Sequence, residues 1–133
     1  MAVQQIVNSP LDQNPLREGV VLIDNFQSIR GGRTLDVSNW TQKYIPEGHI
    51  LLENTTTKEV VPNPIDSTGK LVALPADHAY YGVVVATVDK SLAFAGVCVR
   101  GTLNYKAANY DMTDVLTEAK LNLPLIYFTS DKE

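Results

Sequence analysis

The sequence predicts a mainly β fold: a small barrel or sandwich of short strands, with one short helix near the C-terminus and an extended N-terminal arm. Short apolar runs rich in β-branched residues are separated by Pro, Gly and Asx turn signals, most clearly over residues 81–103. Helical spacing is confined to residues 112–121. The first residues are polar and broken by prolines, so they cannot bury enough apolar surface to fold alone. We therefore divide the chain into an arm, residues 1–33, and a β-rich domain, residues 34–133.

The predicted arm consists of a polar segment, residues 1–19, followed by a short apolar strand, residues 20–23. Pro10 and Pro15 fix φ and remove amide donors, which disfavours a helix in the polar segment. This segment is either a frayed terminus or an arm that becomes ordered on a partner. In the second case, the residues expected to contact the partner are Val3, Ile6, Val7, Leu11, Leu16, Val20 and Leu22.

The β-rich domain is predicted to consist of short strands joined by turns. Pro46-Glu47-Gly48 predicts a turn, because proline presets one corner and glycine accepts positive φ. The polar residues 54–57 predict a reversal between two strands. The strands are expected, in chain order, at residues 34–37, 49–53, 59–61, 70–74, 82–88, 94–103 and 125–128.

The helix is predicted over residues 112–121 and ends before Pro124. Asp111 or Thr113 is positioned to cap its start. Its apolar positions share one face, which is expected to pack on the sheet. These positions are Val115, Leu116, Ala119 and Leu123.

Charge and cysteine content exclude several function classes. The chain has 133 residues, with 11 basic and 15 acidic side chains and a net charge of −4. Nucleic-acid binding that depends on phosphate neutralisation is therefore not expected. One cysteine allows neither an internal disulfide nor a thiolate zinc site. No apolar run approaches the roughly 18 residues of a membrane span, and no secretory signal is expected.

Few polar residues have the spacing that catalysis requires. His49 and Glu53 share a face of one predicted strand, and with His78 they could form a metal-binding triad of the kind found in cupin-like enzymes. The simpler interpretation is that both histidines lie at the surface near turns. Cys98 lies in an apolar strand without a histidine partner and is expected to be a packing residue. We therefore expect no enzyme activity, no cofactor and no bound metal.

Trp40 and Tyr44 lie close together before the first turn of the domain. They are interpreted as a hydrophobic plug at one end of the β domain, with a partner-binding anchor as the alternative. An aromatic ring serves either role, because it combines a large apolar body with a polar atom.

Four segments together resemble a known family. They are Tyr44-Ile45-Pro46-Glu47-Gly48-His49-Ile50-Leu51-Leu52, Lys58-Glu59-Val60-Val61-Pro62, Tyr81-Gly82-Val83-Val84-Val85 and Val97-Cys98-Val99-Arg100-Gly101-Thr102-Leu103-Asn104. Their order and spacing resemble the small head decoration proteins of tailed bacteriophages and the related base domains of phage head fibres. The resemblance covers roughly residues 40–128 and leaves the arm outside.

The resemblance implies a structural virion protein on the outer surface of the capsid. Such proteins bridge major capsid protein subunits and stabilise the shell, often as homotrimers, without contacting nucleic acid or membrane. It carries over three residues, Gly48, Gly82 and Gly101, as structural turn positions, and none as catalytic. The alternatives are a β-barrel binding module or adhesin that recognises a host-surface protein or glycan, and a small cupin-like metal enzyme.

Overall fold

A six-stranded sheet forms the centre of the fold in the computed structural model, which describes residues 20–130. Predictions that concern residues 1–19 and 131–133 lie outside this range. The described elements are β1 (Leu22–Ser28), β2 (Arg33–Thr34), β3 (Tyr44–Ile45), β4 (Ile50–Asn54), β5 (Val60–Pro62), β6 (His78–Val84), β7 (Val88–Asp89), β8 (Phe94–Ala95), β9 (Val97–Asn104), a 3-10 turn (Thr113–Val115), α1 (Leu116–Asn122) and β10 (Ile126–Thr129).

The principal sheet has the strand order β1-β9-β6-β4-β5, and its neighbouring strands along this path are antiparallel. β10 lies parallel to the second half of β9, with Ile126 opposite Gly101 and Phe128 opposite Leu103. β2 pairs with β8 and β3 pairs with β7 in two small separate sheets. The prediction of a mainly β fold with one short helix near the C-terminus is confirmed, although the described strands do not close into a barrel.

The centre of the principal sheet is buried on both faces. Consecutive residues Leu51 and Leu52 are fully buried, yet they belong to different clusters of core side chains. One cluster includes the helix residues Val115 and Ala119, and the other includes Ile45, next to the small sheets. The architecture is therefore a layered one, in which the principal sheet separates the helix from the two small sheets. Burial on both faces explains why the central strands read as nearly continuous apolar runs.

Several predicted boundaries differ from the structure; the strands expected at residues 82–88 and 94–103 are each divided, into β6 and β7 and into β8 and β9. The arm was predicted to extend to residue 33, but Leu22–Ser28 is a full strand of the principal sheet, paired with β9. The strand expected over residues 20–23 overlaps its start, but the polar residues that follow concealed its full length, because only Leu22 within the strand is buried. Residues 70–74 do not form a strand and contribute only isolated bridges, from Leu71 to Ile65 and from Lys70 to Asp111. The chain there follows the sheet edge without a neighbouring strand long enough to form a ladder.

The helical segment follows its prediction closely. Asp111 Oδ1 accepts hydrogen bonds from the backbone N–H of Thr113 at 2.9 Å and from its hydroxyl at 2.7 Å, just before the 3-10 turn begins. Val115, Ala119 and Leu123 are buried against the sheet, as their spacing predicted. α1 has seven residues, and no helix in the described part of the chain is long and apolar enough to cross a membrane.

Candidate protein-binding surface

β1 is an edge strand whose backbone is open to pairing on one side. Within residues 20–130, β9 is the one strand that pairs with it. Register shifts between Leu22 and Asp24 and between Asn25 and Gln27 place Ile23 and Phe26 at irregular positions. Their side chains are 41% and 66% exposed. Bulges twist an edge strand and redirect side chains, so β1 displays apolar groups beside a backbone edge that pairs with no strand of residues 20–130.

The solvent-facing side of the neighbouring strands adds a second group of apolar residues. Thr102 of β9 lies opposite both Asp24 of β1 and Tyr127 of β10, so the three side chains share one face. Tyr127 is 68% exposed. Leu125 lies in the turn just before β10 and is 61% exposed.

We call Ile23, Phe26, Leu125 and Tyr127, with Val20 before β1, the β1–β10 surface. The opposite face of the same strands holds Leu22, Leu103 and Phe128, which are buried in the core. Packing in the core therefore fixes the position of the β1–β10 surface, and the side chains of that surface take no part in this packing. The two groups lie on either side of β9, roughly 10 Å apart by normal strand spacing.

A buried carboxylate holds the start of β1. Glu47 Oε2 accepts a hydrogen bond from the backbone N–H of Leu22 at 2.9 Å, across 25 residues of sequence. The backbone N–H of Glu47 donates to the Thr87 hydroxyl, so the Glu47 backbone is held as well. Asn104 donates its backbone N–H to Val21 O on the β9 side. Hydrogen bonds therefore hold the start of β1 on both of its edges. Further along β1, the edge that faces away from β9 pairs with no strand of residues 20–130.

Of the residues predicted to contact a partner, one is exposed, one is buried and five lie outside the described residues. Val20 is 43% exposed and belongs to the β1–β10 surface, whereas Leu22 is 9% exposed and packs in the core. Leu22 is thus wrongly assigned as a contact residue, because β1 turns it towards Leu103. Val3, Ile6, Val7, Leu11 and Leu16 lie outside the described residues. The sequence analysis missed Ile23, Phe26, Leu125 and Tyr127, whose exposure depends on bulges and on the parallel docking of β10.

The three glycines carried over from the resemblance have different structural roles. Gly48 lies in a turn with φ of +80°, and a Cβ there would overlap Val21 Cγ1. Gly82 and Gly101 are not turn residues, because both lie inside strands where the chains approach closely. A Cβ on Gly82 would lie 2.6 Å from Val97 Cγ1, and one on Gly101 would overlap Asp24 O.

His49, Glu53 and His78, which were considered as an alternative metal triad, are not arranged to hold a metal. His49 is 3% exposed, and its Nε2–H donates to Asn63 O at 2.8 Å. Burial lowers the pKa of His49 to about 4, although the hydrogen bond to Asn63 opposes this. The described residues contain no group of three His, Cys, Asp or Glu side chains arranged to hold a metal. The interpretation of His49 as a surface residue is also wrong, since its ring packs inside the domain.

Trp40 and Cys98 are packing residues in this structure. Trp40 is 3% exposed, its Nε1–H donates to Tyr44 O at 3.0 Å, and its ring meets His49 and Tyr110 edge-on. Trp40 therefore packs inside the domain. Cys98 is fully buried, and burial raises the pKa of its thiol, which keeps it protonated at neutral pH.

Comparison of the chain with protein-family models, with curated proteins and with solved structures finds no match.

Proposed function

We propose that this protein is a structural virion protein that binds the outside of a tailed-phage capsid and stabilises it by bridging major capsid protein subunits. The β1–β10 surface is the observation that carries the proposal. Five exposed apolar side chains lie on and beside β1 and β10, outside the core that Leu22, Ile126 and Phe128 of these strands join, so they contribute little to the stability of the domain. Exposed aromatic and aliphatic groups beside polar ones are typical of protein-binding surfaces.

The open edge of β1 supplies the second part of the mechanism. A capsid segment in extended conformation can pair with the unpaired backbone groups of β1 by β-augmentation. Phe26 and Ile23 then provide apolar contacts beside the new backbone hydrogen bonds. The segmental resemblance to head decoration proteins supports the same class of partner. As in those proteins, the copies bound to the capsid would form homotrimers or cluster around the symmetry axes of the shell.

Binding to expanded, undecorated capsids tests the proposal. Purified protein is mixed with capsids of a phage that encodes it, and the bound fraction is measured after sedimentation. We expect stoichiometric, saturable binding and a shell that tolerates more heat. Binding that never saturates, or no binding, would contradict the proposed function.

A double variant tests the surface itself. Phe26→Ser with Tyr127→Ser is expected to weaken capsid binding at least tenfold, about 1.4 kcal/mol, because both aromatic contacts are lost. The matched control is Leu121→Ser on α1, which removes an equally exposed apolar side chain from another element. The control should bind like the original chain. Equal loss in both variants would show that binding depends on general surface hydrophobicity.

A further inference from the structure

A cavity of about 410 Å³ lies on the side of the domain where the β4–β5 hairpin meets residues 36–40 and 75–78. Its volume lies within the range of ligand pockets in proteins. Val61 and three prolines form an apolar wall. The polar groups are those of Asp36, Asn39, Asn54, Glu59 and His78. None of these residues belongs to the β1–β10 surface.

The two carboxylates of this cavity form no ion pair closer than 4.0 Å among residues 20–130, although both also line a neighbouring pocket with Arg33 and Lys58. Ser38 donates its backbone N–H and its hydroxyl to Asp36 Oδ1, at 3.1 and 2.8 Å. These bonds, with a weaker contribution from a hydrogen bond with Glu59, hold the pKa of Asp36 below its usual value. Within residues 20–130, the one ion pair closer than 4.0 Å joins Lys70 to Asp114. Asp36 and Glu59 therefore place acceptor oxygens with negative charge beside an apolar wall.

The remaining polar groups add a further hydrogen-bond acceptor. Nδ1 of His78 lies 2.8 Å from Ala76 O, an arrangement in which Nδ1–H donates and Nε2 keeps its lone pair. Asn54 Oδ1 accepts the backbone N–H groups of Thr56 and Thr57, which fixes the orientation of its amide. The cavity thus combines two carboxylates and an imidazole acceptor, and its lining includes no lysine or arginine.

The indole of Trp40 bears on which ligand fits. Saccharide sites commonly use an open aromatic face, but Trp40 is nearly fully buried and its ring is already packed against His49 and Tyr110. Val61 and the prolines instead offer an apolar wall of the kind that receives an aliphatic stem. Arginine combines such a stem with a planar guanidinium that has five N–H donors and suits carboxylate acceptors.

We propose that this cavity receives the side chain of an arginine presented by a partner protein. The guanidinium donates to carboxylate oxygens of Asp36 and Glu59 that face the cavity, and its methylene groups lie along Val61 and the prolines. That the partner is a capsid subunit rests on the proposed function. The preference of the cavity for arginine does not depend on the proposed function.

Trp40 is the one tryptophan of the sequence, so its fluorescence reports on the cavity. The full chain is titrated with N-acetylarginine amide at constant ionic strength, and in parallel with N-acetylcitrulline amide, which has nearly the same shape without the charge. We expect a saturable change with the arginine compound and at least tenfold weaker binding of the citrulline compound. Equal binding of both, or no saturable response to arginine, would overturn the proposal.

Variants of the cavity residues test whether the fluorescence change comes from arginine bound in this cavity. Asp36→Asn with Glu59→Gln should weaken arginine binding at least tenfold while the melting temperature stays close to that of the original chain. Asp114→Asn with Glu118→Gln removes the same charge from the helical segment and should leave binding unchanged. Equal loss in both double variants would mean that net charge, and not this cavity, attracts arginine.

Binding of two further ligands tests the chemical preference of the cavity, and binding to capsids tests the identity of the partner. N-acetyllysine amide binding as tightly as the arginine compound would overturn the preference for a guanidinium, and tighter binding of a methyl hexoside would assign the cavity to a saccharide. If the original chain binds capsids, the Asp36/Glu59 variant should bind them more weakly, and unchanged binding would exclude a capsid arginine as the occupant. If the original chain does not bind capsids, the proposed function fails and the arginine titration still stands.

Discussion

Glu47 and His49 flank the turn at Gly48 and are both buried, at 8% and 3% exposed. Glu47 bonds the start of β1, and His49 bonds Asn63 O. Neither role can be predicted from sequence, because polar residues around Pro-x-Gly normally lie in exposed turns. Their partners are 25 and 14 residues away in the chain, so burial depends on tertiary packing. Cys98 was predictable, because its apolar neighbours alone indicate an interior strand.

Burial of His49 makes the stability of the domain pH-dependent. The pKa of His49 is about 4 in the folded chain and 6.5 in an ordinary environment, so the unfolded state binds more protons between these values. Stability is therefore fully present above pH 6.5 and falls as the pH approaches 4, by on the order of 3 kcal/mol. Urea unfolding at a series of pH values measures this loss.

His49→Gln keeps a donor for Asn63 O but cannot titrate, so it should flatten the stability curve between pH 6.5 and 4. His78→Gln is the control, since His78 lies partly exposed near a turn. It should leave the slope unchanged. A slope that persists in His49→Gln would mean that other groups cause the acid sensitivity.

At the scale of elements, local chemistry predicts most turns and strands of the domain. Four turns share an Asp-x-Ser/Thr pattern, in which the carboxylate accepts both the backbone N–H and the hydroxyl two residues later. They begin at Asp36, Asp66, Asp89 and Asp111, and these bonds lower the pKa of each carboxyl. The short strands β3 and β7 were not predicted as a pair, because each has two residues and gains its partner from a distant part of the chain.

The pairing of β1 with β9 depends on the missing side chain of Gly101. A Cβ there would overlap Asp24 O and lie 3.0 Å from Cys98 Sγ, and the Asp24 backbone cannot move without disturbing the strand. Gly101→Ala should therefore destabilise the domain by about 1–3 kcal/mol. Hydrogen exchange should accelerate at the β1 amides more than in β4.

Gly96→Ala is the matched control, because its Cβ would meet only Val85 atoms, at 3.4 Å. We expect a much smaller change in melting temperature and unaltered exchange in β1. A Gly101→Ala variant as stable as Gly96→Ala would show that β1 adapts without cost, and that its register on β9 is not fixed by this close approach.

At the scale of the whole molecule, the sequence indicates the layered core but not the order of its strands. The run Val83-Val84 and the pair Val97-Cys98 are buried on alternate faces, which the apolar sequence predicts for a central strand. The placement of β9 between β1 and β6, with β10 parallel to its end, depends on packing between segments far apart in the chain. The β1–β10 surface arises from this placement, so it was not predictable strand by strand.

Deletion of residues 2–19 separates stability of the domain from binding to the shell. Val21 and Leu22, which join β1 to the core, remain in the shortened chain, so its melting temperature should stay almost unaltered. Capsid binding should weaken at least tenfold, about 1.4 kcal/mol, because the deletion removes five of the apolar residues expected to contact the partner. A full-length chain with serine at Val3, Ile6, Val7, Leu11 and Leu16 should lose as much, which separates side-chain contacts from chain length. Undiminished binding of the shortened chain would assign the shell contacts to the β1–β10 surface alone, and a lowered melting temperature would show that residues 2–19 also support the folded domain.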